Sequence, residues 1–134
     1  SSLSLNFVRK NISRKINFVG YSYNLRDLIN KSDCCILLSY REGLSNFLLE
    51  SASIGRPIIC TNVPGCSEIV DNSNGFLCLP RNIEDTVDKI NKFINLNNNI
   101  KKQMSLRGRQ KVLQFFDNKI VMKQFINEID KILK

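Results

Sequence analysis

The stretch CCILLSYREGLSNFLLESASIGRPIIC, residues 34–60, decides the fold class. Its first five residues form a continuous apolar run of strand length, which is typical of a parallel strand covered on both faces and predicts the central strand of a sheet. Residues 46–54 have helical spacing and end at Gly55, a residue that readily closes a helix in the left-handed conformation. Pro57 then favours extended structure, so the predicted order is strand, helix, strand.

Shorter segments on both sides extend this alternation. Residues 16–19 end at Gly20 and predict a strand, and Asn24 is placed to cap a short helix. After the central stretch, a proline and a glycine at residues 64–65 predict a turn before a short helical piece at residues 67–70, and a second turn separates that piece from a last strand at residues 76–79. Such alternation predicts parallel strands joined by right-handed crossovers. The expected fold class is therefore α/β, a Rossmann-like parallel sheet with flanking helices.

Helical patterns fill the carboxyl-terminal third of the chain. Asn82 is a candidate cap with Asp85 three residues on, and apolar residues then recur at intervals of three and four. Two more helices are expected at about residues 100–116 and 119–133, and the apolar stripe of the last one is expected to pack against the sheet or a partner lobe. We find no linker or internal repeat, so residues 1–134 are expected to form a single domain.

Composition excludes several kinds of chemistry. The 134 residues contain no histidine, which excludes Ser-His-Asp and Cys-His catalysis and every His-containing zinc site. No apolar run approaches the roughly 18 residues that cross a bilayer, and no signal peptide pattern opens the sequence. The five cysteines lie mostly in apolar stretches without a CxxC motif, which indicates buried thiols in a reducing compartment. A cytoplasmic location is expected.

Positive charge is concentrated at the two ends of the chain. Residues 1–31 carry a net charge of +5, residues 32–99 carry −3 and residues 100–134 carry +6. Such basic ends fit either solvated helix faces or peripheral contact with an anionic membrane, here the inner face of the cell membrane. Nucleic acid is not an expected partner, because the middle is acidic, tryptophan is absent and no recognition motif is present.

The candidate site lies between the strand at residues 34–38 and the helix that follows. Ligands of open parallel sheets bind at the carboxyl edge of the strands. The N–H groups of residues 43–47 are expected to be unpaired at the helix start and able to receive phosphate oxygens, and Gly43 allows a ligand to approach closely. Glu42 and Glu50 are expected to face the same cleft and accept hydrogen bonds from hydroxyl groups. Alternatively, both acids are simply solvated, Glu50 being favoured by the helix dipole.

The sequence resembles the carboxyl-terminal donor lobe of the group 1 (family 4) retaining glycosyltransferases of the GT-B fold. The resemblance covers about residues 16–133 and is carried by FVGY, then DLINKSDCCILLSYREGLSNFLLESASIGRPIICTNVPGCSEIV, then NGFLCLP, in the order of that lobe. It implies transfer of a sugar, with retention, from a nucleotide diphosphate sugar to an acceptor glycan or lipid-linked sugar in surface polysaccharide or glycan biosynthesis. The nucleotide-sugar is a substrate, and neither a metal ion nor another cofactor is expected.

The resemblance also implies roles for individual residues. Glu42 would be the catalytic residue beside the donor sugar, the three residues after it would present backbone amides to the sugar and diphosphate, and Glu50 would hold the ribose hydroxyls. Gly20 and Tyr21 would approach the base. The implied donor-binding residues are Gly43, Leu44, Ser45, Asn46, Glu50, Gly20 and Tyr21.

Two parts of the family's pattern have no counterpart in the sequence. No strand before Ile16 carries the Arg and Lys that pair with the diphosphate, and the acceptor-binding lobe is absent. Because departure of the nucleotide diphosphate needs electrostatic stabilisation, the chain alone is expected to be an inactive fragment that requires an N-terminal lobe. The alternatives are a non-catalytic Rossmann-like module that binds a protein partner or an anionic membrane, and a lobe of a sugar-nucleotide epimerase.

Overall fold

Three parallel strands form the sheet in a computed structural model of the chain, which describes residues 6, 7, 10, 13 and 15–132. They are β1 (Cys35–Leu37), β2 (Ile58–Thr61) and β3 (Gly75–Cys78), in the order β1-β2-β3. Cys35 lies opposite Ile58, and Ile58 lies opposite Gly75, so the three strands begin in register. Their carboxyl ends therefore reach the same edge of the sheet.

Five helices flank or follow the sheet within residues 15–132. The first two alternate with the strands, and the last three follow β3 consecutively. They are α1 (Leu25–Lys31), α2 (Asn46–Ile54), α3 (Ile83–Ile94), α4 (Asn98–Phe115) and α5 (Asn118–Ile132). The predicted α/β parallel sheet with flanking and carboxyl-terminal helices is confirmed.

Side chains of the central strand alternate between two apolar layers because successive strand residues point to opposite faces. Ile58 and Cys60 pack with Leu48 and Ala52 of α2. On the other face, Ile59 joins a layer completed by residues of β3, α3 and α4, namely Phe76, Cys78, Phe93 and Met104. All four residues of β2 are buried, which makes β2 the centre of the core.

The ends of α2 follow from its two boundary residues. Ser45 caps the start, where its side chain accepts a hydrogen bond from the Leu48 N–H. Gly55 closes the end with a φ of 82°, and its N–H donates to Ala52 O. The Arg56 N–H donates to Ser51 O, which completes a Schellman motif. The bounds predicted for this helix are confirmed.

The start of α3 is joined to the end of β3 through Asp85. Asn82 caps the helix by accepting from the Asp85 N–H at 2.9 Å, as predicted. The Asp85 carboxylate accepts a hydrogen bond from the N–H of Leu79, the residue immediately after the strand, at 2.7 Å. That hydrogen bond, together with Lys89, lowers the pKa of Asp85. The strand and the helix that follows it are therefore fastened together at the carboxyl edge.

Two strand predictions are wrong. Residues 16–19 form no strand: only an isolated bridge joins Ser13 to Ile16, and Phe18 and Val19 are about half exposed, because no neighbouring ladder holds this segment. The strand β1 is not central but lies at the edge of the three described strands. Ile36 is 43% exposed, so β1 is not covered on both faces.

Two helix predictions also need correction. Residues 67–70 form hydrogen-bonded turns rather than a helix, with the Val70 N–H donating to Cys66 O. Of the two packings predicted for the apolar stripe of α5, the one against the sheet is not observed, since its side chains are exposed, including Phe125 at 66%. The one against a partner lobe stays a prediction. The predicted burial of the cysteines is confirmed, because all five thiols are free, four are buried and Cys34 is partly buried.

Candidate functional site

The loop before α2 presents free backbone donors at the carboxyl edge of the sheet. We call residues 42–45 the site loop. Gly43, Leu44 and Asn46 are exposed, and Ser45 is buried. Within the described residues, four N–H groups at this position have no hydrogen-bond acceptor: those of Gly43, Leu44, Asn46 and Phe47. They lie at the positive end of the α2 dipole, where an anion is stabilised.

The Ser45 N–H is the exception to the predicted set of free donors. It donates to Gly65 O at 3.4 Å, so the prediction that all N–H groups from residue 43 to residue 47 are unpaired is wrong at Ser45. The reason is a second loop, residues 62–68 after β2, which packs against the site loop and which we call the support loop. The sequence indicated only a turn at residues 64–65.

The contact between the two loops is close. Gly65 has a φ of +84°, and a β-carbon built on it would lie 1.5 Å from Gly43 O and 2.8 Å from Glu42 O. The Gly65 N–H donates to Glu68 Oε2 at 2.6 Å. This role of Gly65 was not predicted from the sequence, although a glycine followed three residues later by a glutamate marks the turn that makes it possible.

Glu42 lies near the buried thiol of Cys66. Burial is the main cause that raises the pKa of this thiol, and the nearby carboxylates of Glu42 and Glu68 raise it further. The thiol is therefore neutral at physiological pH and is no nucleophile. Glu42 itself is only partly buried, so its carboxylate is available at the edge of the sheet.

Glu50 is exposed and lies one turn into α2. Within the described part of the chain, neither its carboxylate nor that of Glu42 takes part in a hydrogen bond or an ion pair, so both can accept hydrogen bonds from ligand hydroxyls. The convergence of the two acids on one cleft stays a prediction.

Gly20 and Tyr21 lie apart from these contacts. Gly20 has a φ of +70° with nothing within 4 Å of its β-carbon position, and Tyr21 is 85% exposed. The Tyr21 ring makes an edge contact with Tyr23, with 5.0 Å between the ring centroids. No hydrogen bond or ring contact in residues 15–132 joins either residue to the site loop, and their role toward the base stays a prediction.

A groove opens at the carboxyl ends of the strands, on the α3 side of the sheet. It has a volume of about 380 Å³ and is lined by residues that follow or end the three strands, Leu38, Thr61 and Leu79, together with side chains of α3. The Arg81 guanidinium lies 5.3 Å from the centroid of the Tyr40 ring at its mouth. This groove was not predicted from the sequence, because its lining comes from three separate segments of the chain, residues 38–40, 61 and 79–87.

The parallel sheet, with free amides at a helix start along its carboxyl edge, is the architecture of nucleotide-binding α/β proteins. The chain belongs to the group 1 glycosyltransferases, because the family model described as "Glycosyl transferases group 1" matches residues 3–111. The predicted family resemblance and the GT-B fold class are thereby confirmed.

The chain is similar in sequence to curated glycosyltransferases over most of its length. It is 24% identical over 135 residues to the N,N'-diacetylbacillosaminyl-diphospho-undecaprenol alpha-1,3-N-acetylgalactosaminyltransferase of Campylobacter jejuni, covering 100% of this chain and 35% of that protein. It is 34% identical over 106 residues to the alpha-1,3/1,6-mannosyltransferase ALG2 of Dictyostelium discoideum, covering 76% of this chain and 24% of that protein. The chain thus spans about a third or less of the length of these relatives.

Solved structures agree on the fold. HepE of Anabaena, solved in complex with UDP and glucose, superposes with a TM-score of 0.80 at 20% identity, covering 92% of this chain and 34% of that protein. A glycosyltransferase of Rickettsia africae superposes with a TM-score of 0.76 at 25% identity, covering 96% of this chain and 34% of that one.

The described residues contain neither a metal-binding group nor a helix suited to cross a membrane. No three His, Cys, Asp or Glu side chains lie together as a metal-binding group there. No helix in residues 15–132 is both long enough and apolar enough to cross a membrane.

Proposed function

We propose that this chain is the donor-binding lobe of a retaining glycosyltransferase and that it holds a nucleotide diphosphate sugar at the site loop. The observation that carries the proposal is the set of N–H groups at the start of α2 that have no acceptor among the described residues, next to a carboxylate that has no hydrogen-bond or ion-pair partner there either. Membership of the glycosyltransferase family supplies the ligand class.

Each part of the donor has a partner of suitable chemistry. The free amides of Gly43, Leu44 and Asn46 bind the diphosphate, whose charge is favoured at the positive end of α2. Glu42 accepts a hydrogen bond from the donor sugar and acts beside the reacting carbon. Glu50 accepts from the ribose hydroxyls. Gly20 and Tyr21 contact the base.

We propose that a second lobe supplies the acceptor site and the cations that stabilise the leaving diphosphate. Two observations support a larger enzyme. The curated relatives are about three times as long as this chain. The match to the Campylobacter protein covers the whole of this chain but only 35% of that protein. The apolar stripe of α5 is exposed in the described part of the chain, and a neighbouring lobe would cover it.

The relatives also suggest a biological setting. They include a poly(ribitol-phosphate) alpha-N-acetylglucosaminyltransferase and a capsular polysaccharide biosynthesis glycosyltransferase, both of Staphylococcus aureus, and a putative teichuronic acid biosynthesis glycosyltransferase of Bacillus subtilis. We propose that the acceptor is a glycan or a lipid-linked sugar at the cytoplasmic face of the membrane. Neither a metal ion nor a cofactor is needed in this scheme, so binding of the donor should be unaffected by EDTA.

Donor binding can be tested on this chain directly. We expect titration calorimetry with uridine and guanosine diphosphate sugars to detect binding of one nucleotide class. Glu50→Gln should weaken it about tenfold, because a neutral amide oxygen accepts weaker hydrogen bonds from hydroxyl groups than a carboxylate does. The matched control is Glu84→Gln, an exposed acid in the first turn of α3. Equal affinity of the wild type and Glu50→Gln, with binding to anionic vesicles instead, would favour the non-catalytic module.

A further inference from the structure

We propose that Gly65 is a positioning residue of the donor site, and that its bare backbone fixes the direction of the Leu44 N–H. The inference rests on the proposed function for what the N–H binds, but its geometric basis is independent of the ligand. It follows from the contact between the support loop and the site loop.

The two loops touch through backbone atoms at Gly65 and Gly43. A β-carbon on Gly65 would lie 1.5 Å from Gly43 O and 2.7 Å from the Gly43 carbonyl carbon. Real β-carbons essentially never approach another atom within 3.0 Å, so any side chain would force the backbones apart by about 1.5 Å. No flexible side chain is available to move aside. The contact therefore requires glycine for its size, in addition to the φ of +84° that glycine adopts most readily.

The direction of the Leu44 N–H follows from the planarity of the peptide bond. The Gly43 carbonyl and the Leu44 N–H belong to one peptide unit, which is trans, so the two groups point in opposite directions. Because Gly43 O points toward Gly65, the Leu44 N–H points away from the support loop. It is left without an acceptor among the described residues and is available to a phosphate oxygen.

Two hydrogen bonds hold Gly65 in this position. Its carbonyl oxygen accepts from the Ser45 N–H at 3.4 Å, which ties it to the site loop on the far side of Leu44. Its own N–H donates to Glu68 Oε2 at 2.6 Å, which ties it to its own loop. The peptide of Leu44 thus lies between two anchored points. A displacement of about 1 Å in such a donor is enough to cost much of its effect on a ligand.

The test compares Gly65→Ala with Gly55→Ala in the 134-residue chain. Gly55 also has a left-handed conformation, with a φ of +82°, but an added β-carbon there would find its nearest neighbour at 3.6 Å. Both substitutions carry a similar backbone strain, and only the first creates the clash with Gly43. Gly55 lies at the opposite end of α2 from the site loop.

Two measurements separate positioning from general destabilisation. We expect amide hydrogen exchange at Ser45 to become at least tenfold faster in Gly65→Ala and to change less than twofold in Gly55→Ala. With UDP-sugar or GDP-sugar, whichever the wild type binds, we expect Gly65→Ala to weaken binding at least tenfold and Gly55→Ala less than twofold. Unchanged Ser45 exchange in folded Gly65→Ala, or equal loss of affinity in both variants, would overturn the proposal.

A second pair of variants covers the case in which Gly65→Ala does not fold. Glu68→Ala removes the acceptor of the Gly65 N–H, whereas Glu68→Gln keeps an oxygen there. In Glu68→Ala we expect faster amide exchange at Ser45 and about threefold weaker donor binding. Both properties should return to the wild-type values in Glu68→Gln. Wild-type exchange and affinity in Glu68→Ala would contradict the inference. If the wild type binds no nucleotide-sugar, the proposed function fails, and Ser45 exchange alone then decides the positioning role.

Discussion

Lys111 of α4 donates a hydrogen bond to Asp71 Oδ2 at 2.6 Å and thereby ties this long helix to the turn that precedes β3. Burial alone would raise the pKa of Asp71, but hydrogen bonds from Lys111 and Ser73 outweigh it and lower the pKa from 3.8 to about 2. A carboxylate with a lowered pKa in the folded state stabilises the fold above its unfolded pKa and loses that contribution as the pH falls.

We therefore expect the free energy of unfolding to decrease as the pH falls from about 4 to about 2. The Lys111→Met variant should lower stability at pH 5 by only about 0.5 kcal/mol, because solvent screens a pair in which Asp71 is half exposed. The variant should also lose part of the acid dependence. Urea unfolding at pH 5 and pH 2.5 measures both effects, with Lys123→Met on α5 as the control. An identical acid dependence in the wild type and Lys111→Met would contradict the assignment.

Replacing a backbone donor by proline tests the proposed anion site at α2 directly. Asn46 is the first residue of the helix, and its N–H has no acceptor among the described residues. Proline is well tolerated at this position of a helix, and Ser45 already has the extended conformation that precedes proline. We expect Asn46→Pro to keep its melting temperature and to bind the nucleotide-sugar about tenfold more weakly, the loss of one hydrogen bond to a charged group.

The matched control for this variant is Ile83→Pro, at the equivalent first position of α3, where the preceding Asn82 is also extended. It should bind the donor like the wild type. Equal affinities of Asn46→Pro and Ile83→Pro, measured by titration calorimetry, would show that the Asn46 amide takes no part in binding.

Substitution by alanine is expected to affect stability at Gly75 and donor binding at Gly43. Gly75 opens β3, and a β-carbon there would lie 2.1 Å from Ile58 O on the neighbouring strand. Gly75→Ala should therefore lower the free energy of unfolding by about 3 kcal/mol, the upper range for overpacking. Gly43→Ala should leave stability unchanged, since nothing lies within 4 Å of its β-carbon position, but should weaken donor binding by obstructing the ligand. Chemical denaturation and calorimetry separate the two effects. A stable Gly75→Ala would disprove the clash.

The stripe on α5 should contribute little to the stability of this chain. Phe125 is 66% exposed, and no residue of α5 is buried. We expect Phe125→Glu to change the free energy of unfolding by at most about 0.5 kcal/mol, as for other surface substitutions. The same variant should reduce concentration-dependent association in sedimentation velocity, because it interrupts an exposed apolar patch. A loss of several kcal/mol would mean that the helix packs on the rest of the chain.

Local signals in the sequence predicted the elements that local interactions determine. The bounds of α2 follow from the Ser45 cap and from Gly55, and Asn82 caps α3 as predicted. The position of β1 at the sheet edge could not be derived in this way, because the order of strands depends on contacts between distant segments. A run of apolar residues indicates a strand without indicating how many neighbours it has.

The candidate site, too, could be predicted only where local interactions determine it. The free amides at residues 43, 44 and 46 follow from the start of a helix after a strand, which the sequence contains. The contact of Gly65 with Gly43 joins residues that are more than twenty positions apart, and only the folded chain brings them together. Gly65 beside Pro64 indicated a turn in the sequence, but nothing indicated that this turn packs against Gly43.

The shortness of β1 affects the tendency of the chain to form fibrils. Exposed edge strands are templates for the stacked ladders of amyloid, and proteins protect themselves by keeping such edges short. With only the residues Cys35–Leu37 in ladder geometry, β1 offers an incoming strand very few backbone groups. Ordered cross-β growth from this side of the sheet therefore has a weak starting point, even though the side chain of Ile36, in the middle of β1, is apolar and accessible.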